Sequence, residues 1–270
     1  MISLKIQTEQ APRWPDPVSA KLSAWNLWNP ANISSSARSV IIDRYLNLPP
    51  DTIYPLEYAY HLLGDVRGKN VLDFGCGSGE NIIPLARRGA NVIGIDISPD
   101  LIGLAKRRSR DAEIRADLRV RSAYETGLPA YSVDVIFCIA LIHHLEIPRV
   151  QREMARILRK GGYIVIQEPI RFSDTYNRLR NILPATHDIS DYEHPLTADE
   201  FKALTQGHFV CTDTRFFRLP FVPLFRRVFS QIPHSIWHAS NWLITNVPPA
   251  TLYASIVVTK LHRNGRYSEP

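Results

Sequence analysis

Cysteine is scarce. Cys76, Cys138 and Cys211 are the three in 270 residues, and they form no CxxC and no Cys/His pair at ligand spacing. That excludes a disulfide scaffold, and it predicts a reduced, intracellular, cytoplasmic protein with no structural metal. Cys138 lies in an apolar run where packing explains it, and Cys76 lies among glycines where a small side chain fits. The first 17 positions have three prolines and scattered polar residues but no apolar h-region, so no signal peptide is expected. No stretch approaches the roughly 20 mostly apolar residues of a membrane span. Lys/Arg runs interleaved with aromatics are also missing, as is any nucleic-acid module. The net charge of +6 is therefore read as a solvated basic face, and no nucleic-acid partner is expected. Internal repeats and low-complexity tracts are absent. Finally, Asp, Glu, Lys and Arg vanish together between Arg227 and Lys260, a gap that needs an explanation.

What is there reads as a globular chain, 45% hydrophobic and 21% charged. Positions 1–67 form an aromatic, proline-punctuated section expected to be a helical cap. From 68 to 168 strand and helix signals alternate. Residues 71–74 read as a strand and 81–88 as a helix closed by Gly89. Residues 91–96 read as a second strand, followed by a helix that Ser98 caps and Pro99 opens. Residues 115–122 give a weaker strand, and 133–139 a nearly continuous apolar one suited to burial on both faces. A helix over 148–158 carries Val150, Met154, Ile157 and Leu158 on one face. The pair Gly161 and Gly162 is expected to end it, before a strand over 163–167. The tail adds a helix over 197–206, which Thr197 caps, and strands over 209–217 and 252–260. Such alternation predicts an α/β fold, a Rossmann-like seven-stranded, mostly parallel sheet with helices on both faces. Within a domain spanning 68–270, the segments 169–195 and 218–250 are expected to be lid insertions at the ligand-binding ends of the strands.

The most specific signal is Asp73-Phe74-Gly75-Cys76-Gly77-Ser78-Gly79, with Asp96 closing the next strand. The glycines let the chain turn sharply from strand to helix and approach a ligand closely. An acid at the end of the second strand sits beside that turn and accepts hydrogen bonds from a ribose diol. A dinucleotide fingerprint would place its third glycine where Glu80 stands. There is also no Walker lysine and no Tyr-x-x-x-Lys pair.

The stretch from Val71 to Glu168 resembles class I S-adenosylmethionine-dependent methyltransferases, small-molecule type. The resemblance implies S-adenosyl-L-methionine as cofactor, its methionine part held by Asp73, Gly75, Cys76, Gly77 and Gly79. It implies Asp96 on the ribose hydroxyls and Ile97 against the adenine. Ser122, Ala123 and Tyr124 stand where the family usually reads Asp-Ala-Glu, so the adenine contact there falls to a serine. Ser132 to Ile136 resembles the fourth-strand motif, and the stretch ending in Lys160-Gly161-Gly162 resembles the Leu-Lys-Pro-Gly-Gly turn. Ala140, with the segment running on to Leu145, stands where the family lines the methyl donor.

Methyl transfer needs alignment of nucleophile, carbon and sulfur in a dry site, and a base only if the nucleophile must lose a proton. The candidates for chemistry are His143, His144 and Glu168, all just past strand ends. One histidine facing the substrate is one reading; a packing or capping role is the other. Glu168 either orients a substrate hydroxyl or amine, or binds backbone. The charge-free segment with Trp237, Trp242, Leu243 and Ile244 reads as a roof favouring a small, apolar or aromatic acceptor, methylated at O, N or C. An alternative is a quinone- or lipid-directed enzyme whose residues 228–250 contact a membrane surface. An alternative of another class is a non-catalytic cofactor-binding or interaction module. A nucleic-acid methyltransferase of the N-acting type would carry Asn/Asp-Pro-Pro-aromatic where Ala140-Leu141-Ile142-His143 stands.

Overall fold

The computed structural model describes residues 45, 46, 48, 51–173, 194–219, 222 and 233–264. The expected caps therefore lie only partly in view: Trp14, Trp25 and Trp28 and the greater part of 169–195 fall outside the described residues.

In chain order the elements are α1 (Pro55–Leu63), β1 (Asn70–Phe74), α2 (Ile82–Arg87), β2 (Asn91–Asp96), α3 (Pro99–Asp111), β3 (Asp117–Val120), β4 (Val133–Ile139), α4 (Ile147–Ile157), β5 (Leu158–Pro169), α5 (Ala198–Thr205), β6 (Phe209–Phe217), α6 (His234–Asn246) and β7 (Ile256–Arg263). The strands form one seven-stranded sheet in the order β3-β2-β1-β4-β5-β7-β6. β1 to β5 are mutually parallel, and β7 runs antiparallel between β5 and β6. The C-terminal ends of β1 to β6 thus share one rim.

The period-two alternation of a strand sends its side chains into two separate cores. Leu72, Phe74, Ile136, Cys138, Ile164 and Ile166 pack with Val150, Met154 and Ile157 of α4, Leu204 of α5 and Ile244 of α6. Val71, Val135, Phe137 and Val165 point the other way, onto Tyr60 and Leu63 of α1, Ile82 and Leu85 of α2 and Ile102 and Ala105 of α3. Cys138 is fully buried, as its apolar setting predicts. Truncating a side chain such as Phe137 in either layer costs about 3–5 kcal/mol.

Local chemistry places the helices. Ser98 Oγ accepts from the Leu101 N–H while Pro99 starts α3. Thr197 and Glu200 close a reciprocal capping box at α5.

Three boundaries differ from the sequence reading. The third strand is short, because Ser122 leaves it to bridge back to Glu125. α4 stops at Ile157, ahead of the glycines, because Leu158 already pairs with Val133. Gly161 and Gly162 serve as an irregularity within β5, where a Cβ on Gly162 would meet the Asp134 carbonyl at 2.8 Å. Residues 252–255 are not strand. Pro248 and Pro249 lack the N–H a ladder needs and start a 3-10 turn (Pro248–Tyr253), so β7 begins at Ile256.

Candidate cofactor and active site

The loop after β1 is clamped first. The N–H groups of Gly75 and Cys76 both donate to the Ile95 carbonyl, at 3.0 and 2.8 Å. Gly75, Gly77 and Gly79 hold φ of +77°, +52° and +84°. Added Cβ atoms would lie 2.8 Å from the Leu141 side chain at Gly75 and 2.9 Å from Ala105 Cβ at Gly79. Those two glycines are filled by protein. At Gly77 the nearest atom is Glu80 Oε2 at 3.9 Å, so this left-handed position faces open space, where a ligand can reach the backbone.

Asp96 braces the loop from β2. Its Oδ2 accepts from Gly77 N at 3.0 Å and its Oδ1 from Ser98 N at 2.9 Å. Two carboxylate oxygens offer about four acceptor sites, so capacity remains for two hydroxyls. Ile97, next in sequence, is 67% exposed, an unusual state for a bare isoleucine beside a polar loop. On the helical side, Arg108 Nη1 reaches Ser78 O, Ser78 Oγ and Glu80 Oε1 at 3.1, 2.7 and 2.7 Å, tying the loop to α3.

Asp73 is the acid in the floor. It is buried, and its Oδ2 has no hydrogen-bond partner among the described residues. Burial, with Glu80 and Asp96 adding repulsion, pushes its carboxyl well above the ordinary range. A cation reaching this carboxyl would relieve that repulsion and favour its ionised form. Cys76 is buried nearby, its thiol likewise pushed up, first by burial. Its sulfur occupies space that Gly94 leaves, 3.1 Å from where a Cβ would stand.

Ser122, Ala123 and Tyr124 follow β3, the neighbour of β2. Ser122 Oγ accepts from Tyr124 N at 3.2 Å, and Tyr124 Oη accepts from Glu146 N at 2.8 Å. Arg149 lies over the Tyr124 ring at 4.2 Å. Tyr124 thus ties this loop to the approach of α4.

At the ends of β4 and β5 the chain is strained and braced. Ala140 is exposed with φ of +54°, an uncommon state for a residue with a Cβ. Its N–H donates to Gln167 O at 2.8 Å. Glu168 is completely buried; its Oε1 accepts from Leu141 N at 2.8 Å and Ile142 N at 2.7 Å. Its Oε2 stands 2.6 Å from Nδ1 of His143, which is also buried. A carboxylate only accepts, so Nδ1 carries the hydrogen and the basic nitrogen of the imidazole is Nε2. His144 is exposed, its ring centroid 3.9 Å from that of His143. Of the two histidines the fold sends inward the one that Glu168 holds, and Glu168 binds backbone and imidazole at once.

The segment with no charged residue supplies α6 beside the rim of β6. Ser240 Oγ accepts from Leu219 N at 3.0 Å, and Arg215 Nη2 donates to Asn241 Oδ1 at 2.6 Å. Tyr54, just ahead of α1, meets His234 Nδ1 at 2.8 Å and the Trp237 ring at 5.3 Å. Ile244 and Leu243 turn to the core while Trp242 faces solvent, 59% exposed. Trp242 thus lies on the side of α6 away from the core that Leu243 and Ile244 join. No helix among the described residues is long and apolar enough to cross a membrane.

Residues 72–166 match the family model described as "Methyltransferase domain". This span is a methyltransferase domain. It holds the glycine loop, Asp73, Asp96 and His143, and stops two residues short of Glu168. The chain is 30% identical over 139 residues to "Ubiquinone biosynthesis O-methyltransferase" of Coxiella burnetii, covering 48% of this chain and 59% of that protein. It is 31% identical over 145 residues to the protein of the same name in Xanthomonas oryzae, with the same coverage. The match thus spans less than two thirds of the length of these relatives. Among solved structures it is similar to geranyl diphosphate C-methyltransferase from Streptomyces coelicolor, in complex with geranyl diphosphate and S-adenosyl-L-homocysteine. That likeness has a TM-score of 0.56 at 17% identity and covers 82% of this chain and 87% of that one. At that identity the likeness establishes the Rossmann-like methyltransferase fold.

The loop of the methyltransferase domain fits S-adenosyl-L-methionine on its own geometry. The orphaned Oδ2 of Asp73 suits an ammonium group, the open Gly77 a close ligand, Asp96 a diol and exposed Ile97 an aromatic face. Reading the sequence alone missed two features here, the Arg108–Glu80 tie and the contacts of Tyr60 with Asn81. Both pair residues from separate elements.

Proposed function

We propose that the chain is an S-adenosyl-L-methionine-dependent methyltransferase that methylates a hydroxyl group of a small, largely apolar acceptor. The observation that carries the cofactor assignment is the buried, unpartnered Oδ2 of Asp73 beside an open Gly77. Bound there, the cofactor supplies an electrophilic methyl group on a sulfonium. Asp73 would hold the ammonium of the amino-acid tail, Asp96 the ribose hydroxyls and Ile97 one face of the adenine, with Ser122, Ala123, Tyr124 and Ala140 lining the rest of the cleft.

His143 is the proposed base. Glu168 fixes its tautomer, so Nε2 takes the proton from the acceptor hydroxyl as the oxygen becomes the nucleophile. The buried carboxylate steadies the imidazolium that results, as the acid of a hydrolase triad does. His144, exposed, has no place in this scheme. The names of the relatives favour oxygen as the methylated atom, with a phenol or hydroquinone as the first acceptor class to screen.

A second reading concerns where the acceptor is met. Trp242, Val247, Leu252 and Tyr253 are exposed on α6 and the turn after it, in a stretch without any charged residue on a chain of net charge +6. This composition suits contact with an anionic membrane surface. Flotation with phosphatidylglycerol vesicles tests it: a Trp242→Ala variant that floats as well as wild type would refute it.

Calorimetric titration with S-adenosyl-L-methionine, alongside Asp96→Ala, tests the main reading. Micromolar binding that the variant loses is expected. Folded wild-type protein that binds no cofactor would overturn the enzyme assignment and leave an interaction module as the alternative.

A further inference from the structure

Position 80, where a dinucleotide fingerprint would place glycine, carries a glutamate in this chain, and its two oxygens are in different states. Oε1 is taken. Arg108 Nη1 donates to it at 2.7 Å, and to Ser78 Oγ at 2.7 Å. A guanidinium only donates, so Ser78 Oγ accepts that bond and passes its own hydrogen to Glu80 Oε1. Oε2 has no hydrogen-bond partner among the described residues. It is the nearest atom to the open space beside Gly77, 3.9 Å from where a Cβ would stand.

This is not a loose surface glutamate. Its side chain is 33% exposed and that of Arg108 23%. Arg108 also donates to Ser78 O at 3.1 Å, and Ala105, one turn earlier on α3, fills the place beside Gly79. Loop and helix are packed as one unit. A carboxylate fixed by one oxygen presents the other in a set place, and the entropy of ordering the side chain is already spent before a ligand arrives.

The partner that suits Oε2 is a cation. Among the charged groups, Glu80 weighs most on the buried Asp73 carboxyl, ahead of Asp96. One ammonium, with three N–H donors and no acceptor, relieves both carboxyls at once.

We infer that Glu80 is a second acid for the ammonium of the cofactor's amino-acid tail, Oε2 accepting one of its N–H bonds beside Gly77, and that Arg108 and Ser78 position it through Oε1. This rests on the cofactor reading above.

Glu80→Gln is the informative change. Arg108 and Ser78 both donate, so the amide oxygen stays with them and the NH2 group takes the place of Oε2. A donor then faces an ammonium. Calorimetry compares S-adenosyl-L-homocysteine, which carries the amino-acid tail, with methylthioadenosine, which lacks it. Losing a hydrogen bond to a charged group should weaken S-adenosyl-L-homocysteine about tenfold, with methylthioadenosine unchanged within about twofold. A Glu80 that only braces the loop would lower both affinities together and leave their ratio at the wild-type value. Equal loss for both ligands, or no loss for the tailed one, therefore overturns the inference. Glu80→Met, of similar length and without either oxygen, should shift the same ratio, and it carries the test alone if Glu80→Gln does not fold. Wild-type protein that binds neither ligand overturns the cofactor reading, and this inference with it.

Discussion

Replacing Glu168 by glutamine isolates what its second oxygen does. The amide in Glu168→Gln would keep the shape of the side chain, and its carbonyl oxygen can still accept from Leu141 N and Ile142 N, now at 2.8 and 2.7 Å. Its NH2 group then faces His143 Nδ1, now 2.6 Å from Glu168 Oε2. Two donors cannot share that contact, so the imidazole must carry its hydrogen on Nε2 and lose its basic nitrogen there. A positioned general base contributes about 10²- to 10⁴-fold, and kcat for a hydroxyl acceptor should fall by that factor, about 3–5 kcal/mol in the barrier. Stability should change far less, by about 1–2 kcal/mol for the lost charge assistance. Glu168→Ala is the contrast: it leaves the buried Ile142 N–H and the half-buried Leu141 N–H unpaired and should cost about 2–5 kcal/mol. The assay is transfer of labelled methyl to a phenolic acceptor at saturating cofactor, with thermal unfolding and cofactor affinity recorded alongside. Glu168→Gln protein that is folded, binds cofactor and keeps kcat within about threefold of wild type would refute the base assignment.

Other substitutions separate cradle from core. Gly77→Ala places a methyl where only Glu80 Oε2 lies within 4 Å, at φ of +52°; it should cost about 1 kcal/mol of stability yet weaken cofactor binding about tenfold or more, read by melting with and without ligand. Gly94→Ala sets a Cβ 2.7 Å from Leu118 Cδ2 and 2.9 Å from Ile82 Cδ1, so its effect should fall on the unfolding midpoint, by about 1–3 kcal/mol. Asp73→Asn should do the reverse. Burial first, then Glu80 and Asp96, raise the Asp73 carboxyl in the folded state, so the folded protein binds a proton that the unfolded chain releases. The destabilisation therefore grows as pH rises through the window between the unfolded and folded values. The ligand-free variant should melt higher than wild type at neutral pH, lose that gain below about pH 4, and lose cofactor binding. A variant that melts lower at pH 7 would contradict the assignment of burial as the dominant cause.

The half of the fold built on local signals was legible. β2, β4 and β6 match their expected bounds to the residue, because turn-forming residues bound short runs rich in β-branched, aromatic and aliphatic side chains. Ser98 and Thr197 declared their helix starts by chemistry at fixed offsets. The start of β7 was not legible, because 252–255 carries the apolar residues of a strand while Pro248 and Pro249, several residues earlier, dictate the turn. Choosing between His143 and His144 required knowing that Glu168, 25 residues away, sits on the adjacent strand. Tyr60 looked like one aromatic among many, and its hydroxyl contact with Asn81 spans 21 residues. Periodicity reports which face is buried, and leaves unsaid which polar atoms meet inside.

The strand order has a consequence for synthesis on the ribosome. β6 touches the sheet only through β7, which follows it in the chain by way of α6. β1 to β5 can assemble as each emerges, whereas β6 leaves the exit tunnel with no neighbour to pair with until β7 arrives. A nascent chain at that stage carries two unsatisfied strand edges, the kind of surface that recruits other chains. The composition of β6 answers this hazard: from Cys211 to Arg215 it runs through Thr212, Asp213 and Thr214, and remains largely solvent-facing even in the finished protein. Its solubility is a property the protein needs most while it is still being made.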